Sequence, residues 1–241
     1  WIAMNAPNAI RSNEPKALRK GDNGFWKPKW IIHSQSMPSL LSRKTLNLLL
    51  ENATDDFLIG KYVHEIELRH ILNALDYTSR NLDHLRHVLD IVKDLRLEWD
   101  LFDSSGSRRQ GGLNSLESWD FNEQTERFQY VFTESFRMMM LESGSAAFLS
   151  NTNQVLCKSV HGHALWDLIT IWEGALKDPN ISQTRTRIYD LEVLRMMLNA
   201  TAPTFTEYKY FKTRILKKAM REVESIKPNL KIDIEEQRVS R

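Results

Sequence analysis

The sequence predicts an α+β chain, mostly helical, made of two tandem copies of one unit, helix–turn–helix plus a β-hairpin, and three observations carry that expectation. First, LRHILNA at 68–74 recurs as LRMMLNA at 194–200, so Leu, Arg, Leu, Asn and Ala return 126 residues later. Second, the same offset persists downstream, placing Leu85 on Phe211, Arg86 on Lys212 and Leu89 on Ile215. Third, each copy then reaches an alternating run, LEWDL at 97–101 and LKIDI at 230–234. Two copies this far apart mark a duplicated domain, not a solenoid. Helix, short turn, helix, strand is the plan of a winged helix.

The elements follow in order. Residues 1–30, rich in Asn, Pro, Lys and Gly without apolar periodicity, predict a mobile basic tail, with Lys16, Arg19, Lys20, Lys27 and Lys29 free to touch phosphates. A core helix begins after Pro38 with Ser42 as its cap, and a second is expected over 62–75, where Leu68, Ile71, Leu72 and Leu75 share a face. A third follows at 79–95, its inner face Leu82, Leu85, Leu89 and Val92 and its outer face Arg80, Asn81, His84 and His87. LEWDLF at 97–102 reads as a strand and RFQYVF at 127–132 as its return, making DSSGSRRQGG a basic wing loop with Arg108 and Arg109. Residues 134–142 read as a helix and 144–154 as a turn-rich break, which puts the domain boundary near 150: a first winged helix at 31–150 and a second at 151–241. The second opens with a helix over about 158–176 and continues through a loop at 177–186 to the two helices of the repeated motif.

Composition narrows the function. With 41% hydrophobic and 27% charged residues, 241 residues bury real cores, and no apolar run approaches the roughly 20 residues that span a bilayer. The first residues lack a charged start followed by an apolar stretch, so no secretory signal is expected. Cys157 is the single cysteine, which excludes an internal disulfide and reads as a core filler. No GxxxxGK[ST] loop occurs, so no nucleotide cofactor is expected. His161, Gly162 and His163 resemble a metal clamp, but Gly at a helix start is a poor centre for one and no Cys or Asp cluster stands beside it. No catalytic or metal site emerges, and no enzyme is expected.

Positive charge is concentrated instead. Net charge is only +2, yet between Thr204 and Arg221 lie Lys209, Lys212, Arg214, Lys217, Lys218 and Arg221 against the single acid Glu207. On a helical wheel of 206–226, Tyr208, Phe211, Ile215, Ala219 and Ile226 face a core, with Thr206, Lys209, Tyr210, Thr213 and Lys217 opposite and Lys212, Arg214 and Arg221 flanking. An apolar face to anchor the helix, central polar side chains for base edges and lateral cations for phosphates are what reading a DNA groove requires. The bland alternative is a solvated surface helix, which ordinarily carries neutralising acids at i+4.

These residues resemble the plasmid replication initiators of the iteron-binding Rep type, which carry two winged-helix domains. The likeness runs through LNLLLENA, LRHILNAL, LRLEWDLFD, FQYVFTESF, HALWDLI and IYDLEVLRMML, and most specifically through YKYFKTRILKKAMREVESI followed by LKIDIEEQR. The resemblance implies a cytoplasmic, plasmid-associated protein that binds direct repeats in double-stranded origin DNA as a monomer. It further implies a dimer, paired through the first domain, that represses its own gene, and recruitment of the host initiator ATPase and replicative helicase. It also implies main DNA contacts at Lys209, Lys212, Thr213, Arg214, Lys217 and Arg221, with Arg80, Asn81 and His84 auxiliary. The basic tail matches no part of the family, and the residues after Arg238 are fewer than a closing strand of the second wing needs. The competing readings are a winged-helix transcription regulator with no replication role, a nicking initiator using His161 and His163, and a protein-binding winged helix.

Overall fold

The computed structural model of the chain describes residues 20–21, 24–32, 39–78, 82–102, 108–142, 146–150, 154–174 and 189–236. Its centre is the helix α2 (Leu40–Leu58), preceded by the short α1 (Lys29–Ile32). Ser39, not Ser42, caps α2, because the extended Ser39 backbone aims its hydroxyl at the Ser42 amide, 3.0 Å away. Leu46, Leu49, Leu50, Ala53 and Phe57 along α2 are fully buried and anchor the first apolar core.

Strand β3 (Val63–Glu67) follows α2, and only then comes α3 (Leu68–Ala74). The helix expected over 62–75 is thus half strand: His64 and Ile66 alternate inward in VHEIE, and β3 pairs antiparallel with β7 (Arg127–Phe132). Helix α4 (Leu82–Asp94) buries Leu85, Val88, Leu89 and Val92.

The wing differs from expectation. Strand β4 (Arg96–Phe102) returns not through 127–132 but through β5 (Arg108–Asn114), with Trp99 opposite Gly111 and Phe102 opposite Arg108. The stretch RRQGG is therefore strand, not loop, and Arg108 and Arg109 stand in the ladder itself. A further strand, β6 (Leu116–Asn122), joins β7 on the side away from β3. Helix α5 (Glu134–Glu142) lies where expected.

Two further corrections concern the amino-terminal stretch and the expected break at 144–154. Strands β1 (Lys20–Gly21), β2 (Gly24–Pro28) and β8 (Ala146–Ser150) make an antiparallel sheet, with Phe25 opposite Leu149. Residues 20–21 and 24–28 thus belong to the fold, and Lys27, far from reaching phosphates, is 1% exposed. Lys16 and Arg19 lie outside the described residues.

The second core forms between α6 (Val160–Gly174), α7 (Leu191–Met197) and the helical run from Tyr208 to Ile226. Where the two cores meet, Lys27 and Arg43 both reach Asp167 Oδ2, at 3.2 and 3.3 Å, with all three side chains at most 3% exposed. Asn47 donates to Gln154 and Lys44 to the carbonyl of Val155 across the same junction. Burial alone would raise the Asp167 carboxyl, but the Lys27 and Arg43 cations beside it outweigh that and hold the group below its usual range. Among the described residues no helix is long and apolar enough to cross a membrane.

Candidate nucleic-acid interface

The helix pair at 190–226 is set by its caps. Asp190 accepts from the amides of Glu192 and Val193 and starts α7, and Asn199, at φ +56°, ends it in the left-handed conformation that Asn tolerates. The first copy ends identically on Asp76, at φ +51°. The caps place the repeat differently from the motif: Glu67 corresponds to Asp190, Leu75 to Leu198 and Asp76 to Asn199, each pair 123 residues apart. In the second helix the offset of 126 holds, since Leu85 and Phe211 are both at 0% exposure and Leu89 and Ile215 are both buried. The turn between helices is therefore three residues longer in the second copy, where the 3-10 segment Pro203–Thr206 fills it.

Arg195 is the residue that sequence reasoning passed over. It sits at the i+4 position of the apolar series Leu191, Leu194, Leu198, is 5% exposed, and donates to the Glu192 carboxylate and to the carbonyl of Thr206. Its guanidinium carbon lies 5.7 Å from the centre of the Phe211 ring. A cation in a core position of an amphipathic pattern was the available signal. It ties α7 to the turn and to the first buried ring of the next helix.

The basic helix begins as α8 (Tyr208–Tyr210), widens into a π-helix over Phe211–Leu216 and continues as α9 (Lys217–Ile226). A π turn takes an extra residue per turn and is frequent at functional sites. Phe211, Ile215, Leu216, Ala219, Met220 and Val223 are buried, with Tyr208 and Ile226 packed at the margin, as the wheel requires. Thr206, Lys209, Thr213, Arg214, Lys217, Lys218 and Arg221 are exposed, and Tyr210 and Lys212 half-buried. Arg214 stacks over Tyr210 at 4.7 Å, and Thr213 returns its hydroxyl to the carbonyl of Lys209. Lys212 pairs with Glu236 and lies 5.8 Å from the Tyr208 ring centre.

The far end is locked by Glu222. Its carboxylate accepts from the Lys158 and Ser159 amides at 2.6 and 3.0 Å and from the Ser159 hydroxyl at 2.6 Å, so it occupies the amino terminus of α6. The His161–Gly162–His163 motif owes its shape to this contact. A Cβ on Gly162 would stand 2.4 Å from Glu222 Cδ. His161 Nδ1 is 2.7 Å from the carbonyl of Leu198, while His163 is fully buried, 3.7 Å from Asp167 Oδ1, its pKa pushed down to about 3 by burial against the pull of Asp167. The two rings serve two different packing contacts. Burial also pushes the Cys157 thiol up to about 12.

The first copy presents a different surface. His84 is exposed and stacks on Tyr77, and Arg86 is held by Asp83 and Glu123. Arg80 and Asn81 lie outside the described residues. LKIDI at 230–234 forms no ladder among them, yet Leu230, Ile232 and Ile234 pack against the second core and the Ile232 amide donates to Glu224.

Two helix–turn–helix units, one followed by a β-hairpin wing, define a two-unit winged-helix fold. Residues 190–241 match the family model described as initiator Rep protein, WH2. The solved Pi initiator protein in complex with iteron DNA has the same fold, with TM-score 0.61 at 14% identity over 86% of this chain and 88% of that one. The WH1 domain of a replication protein isolated from a multiple sclerosis patient aligns at TM-score 0.30 and 11% identity, covering 42% of this chain and 79% of that one. Domains 2 and 3 of RctB align at 0.38 and 14%, covering 74% and 68%. No curated protein sequence matches the chain significantly.

Proposed function

We propose that the chain initiates plasmid DNA replication by binding direct repeats at the origin, residues 151–241 making the main contacts and 31–150 supplying auxiliary contacts and dimerisation. The observation that carries this is the exposed face of the Tyr208–Ile226 helix, where Lys209, Lys217, Lys218 and Arg221 have no carboxylate within ion-pair distance among the described residues. An apolar back, a polar centre and unbalanced cations suit major-groove docking. In this reading Lys209, Thr213 and Lys217 face base edges and Arg214, Lys218 and Arg221 hold phosphates, with Tyr210 setting Arg214 and Thr206 at the entry. Arg108 and Arg109 on the first wing, and Arg80, Asn81 and His84, touch the neighbouring groove.

Bound copies on tandem repeats strain the duplex and recruit the host initiator ATPase and replicative helicase, so the chain itself needs no nucleotide chemistry. Its place is the cytoplasm, on the plasmid, and as a dimer it represses its own gene. The test is a footprint on DNA flanking the gene across a salt series. Protection repeating about every two helical turns with a steep salt slope is expected. A single palindromic footprint would indicate a plain repressor, and no protection a protein-binding module.

A further inference from the structure

Of the six cations between Thr204 and Arg221, Lys212 alone has a carboxylate within ion-pair distance among the described residues. Glu236 supplies it, and Glu236 also receives a hydrogen bond from the Tyr208 hydroxyl, whose pKa burial and that bond both raise. The carboxylate is held in place by its own segment. Leu230, Ile232 and Ile234 lie against the second core and the Ile232 amide is bonded to Glu224 at 2.9 Å, leaving Lys231, Asp233 and Glu235 exposed. The first copy repeats the arrangement: Arg86, at the position equivalent to Lys212, donates to Glu123 at 3.1 Å from the turn between β6 and β7. An acid from the segment downstream thus occupies the same helical cation twice.

We propose that Glu236 is a specificity-determining residue: a carboxylate standing where a phosphate would, it withholds Lys212 from arbitrary DNA backbone and so restrains non-specific binding. The proposal rests on the reading of this helix as the DNA-contacting element. The pair is partly exposed, Lys212 at 29% and Glu236 at 44%, so a phosphate held at the right distance by the rest of the helix can displace it, whereas a loosely docked one competes poorly.

The experiment is a salt titration of binding to a random duplex with the full chain, its Glu236→Gln variant, the Asp233→Asn variant as a charge-matched control, and both Lys212→Ala and the Lys212→Ala/Glu236→Gln pair. Each freed cation that meets a phosphate adds about 0.9 to the slope of log K against log salt. Glu236→Gln is therefore expected to steepen the slope by about 0.9 and to raise random-duplex affinity about fivefold at 0.15 M salt. Asp233→Asn is expected to leave the slope near wild type, Lys212→Ala to change it little, and the double variant to return it to the wild-type value. Equal shifts from Glu236→Gln and Asp233→Asn, or a gain that survives Lys212→Ala, would overturn the proposal, since either makes the effect one of net charge. A wild-type chain with no DNA affinity at all would overturn the proposed function itself. That is a different result from binding whose salt slope ignores Glu236.

Discussion

Gly162→Ala is the substitution whose sign depends most sharply on the geometry. In an ordinary helix the change stabilises by up to about 1 kcal/mol, because Gly loses more backbone freedom on folding. Here the new Cβ would stand 2.4–2.6 Å from all three carboxylate atoms of Glu222. Three donors hold that carboxylate, two of them backbone amides at the start of α6, so it cannot swing away without releasing them. Charge-assisted hydrogen bonds contribute about 1.5–3 kcal/mol each, but Lys158 is exposed and water replaces part of the loss, leaving a cost of about 2–3 kcal/mol. Against the propensity gain, Gly162→Ala should destabilise by about 1–2 kcal/mol, a fall in Tm of roughly 2–8 °C for a chain of this size. Denaturant unfolding of both single variants and the pair decides it. In a Glu222→Ala background the obstacle is gone, and the same Gly162→Ala should stabilise. Additive effects of the two substitutions, or a stabilising Gly162→Ala in the wild-type chain, would refute the reasoning.

Asp167→Asn should cost about 3–5 kcal/mol in urea unfolding, because it leaves Lys27 and Arg43 buried without their anion. His163 stays neutral in the fold down to about pH 3 but titrates near 6.5 when unfolded, so the unfolded chain binds the extra proton between those values and stability falls as pH drops through that window. His163→Gln should flatten the stability slope between pH 6 and 4 by roughly 1.4 kcal/mol per unit, read from urea midpoints across that range. Lys209→Ala should weaken specific binding by about 1–3 kcal/mol and relax preference at one base pair, measured on a panel of single-substituted sites. Arg195→Met keeps the volume but releases the Thr206 carbonyl, and should lower specific affinity about tenfold by electrophoretic shift while leaving far-UV circular dichroism unchanged.

The sequence carried the helices well, because burial of one face is a strong period: Leu85, Leu89 and Val92 of α4 and Phe211, Ile215 and Ala219 of the Tyr208–Ile226 helix, expected inward, are buried, although Val88, Leu216, Met220 and Val223 join them. Strands were harder. VHEIE runs directly into LRHILNA, so a two-residue period of five residues was absorbed into the helical one beside it, and β5 was hidden because RRQGG has turn composition and takes its order from β4. The repeated motif was real but displaced. LRxxLNA recurs at 126 while the helix caps recur at 123, a shift of nearly one turn that keeps the same face inward and so is invisible to a face-based comparison. The basic face was legible from charge alone. Arg195, Glu222 and Glu236 were not, since each is defined by a partner 11 to 64 residues away in sequence.

What separates the two copies is how the same scaffold was charged. On α4 the exposed acids Asp83, Asp90 and Asp94 share the surface with Arg86 and Lys93; Asp83 holds Arg86, and Asp90 accepts from the Trp119 indole. On the equivalent helix of the second copy no acid falls between Tyr208 and Arg221. A phosphate approaching α4 meets acids carried by the helix itself within a Debye length, about 8 Å at physiological salt, whereas the acid paired with the second helix, Glu236 on Lys212, comes from the downstream segment and leaves Lys209, Lys217, Lys218 and Arg221 unpaired among the described residues. The longer turn before that helix reinforces the difference, because Arg195, where the first copy has Leu72, spends its donors on the Thr206 carbonyl and so fixes the helix entry by hydrogen bonds as well as by packing. A helix that must hold a register against base edges needs both the charge and the fixed entry, and only the second copy has the two together.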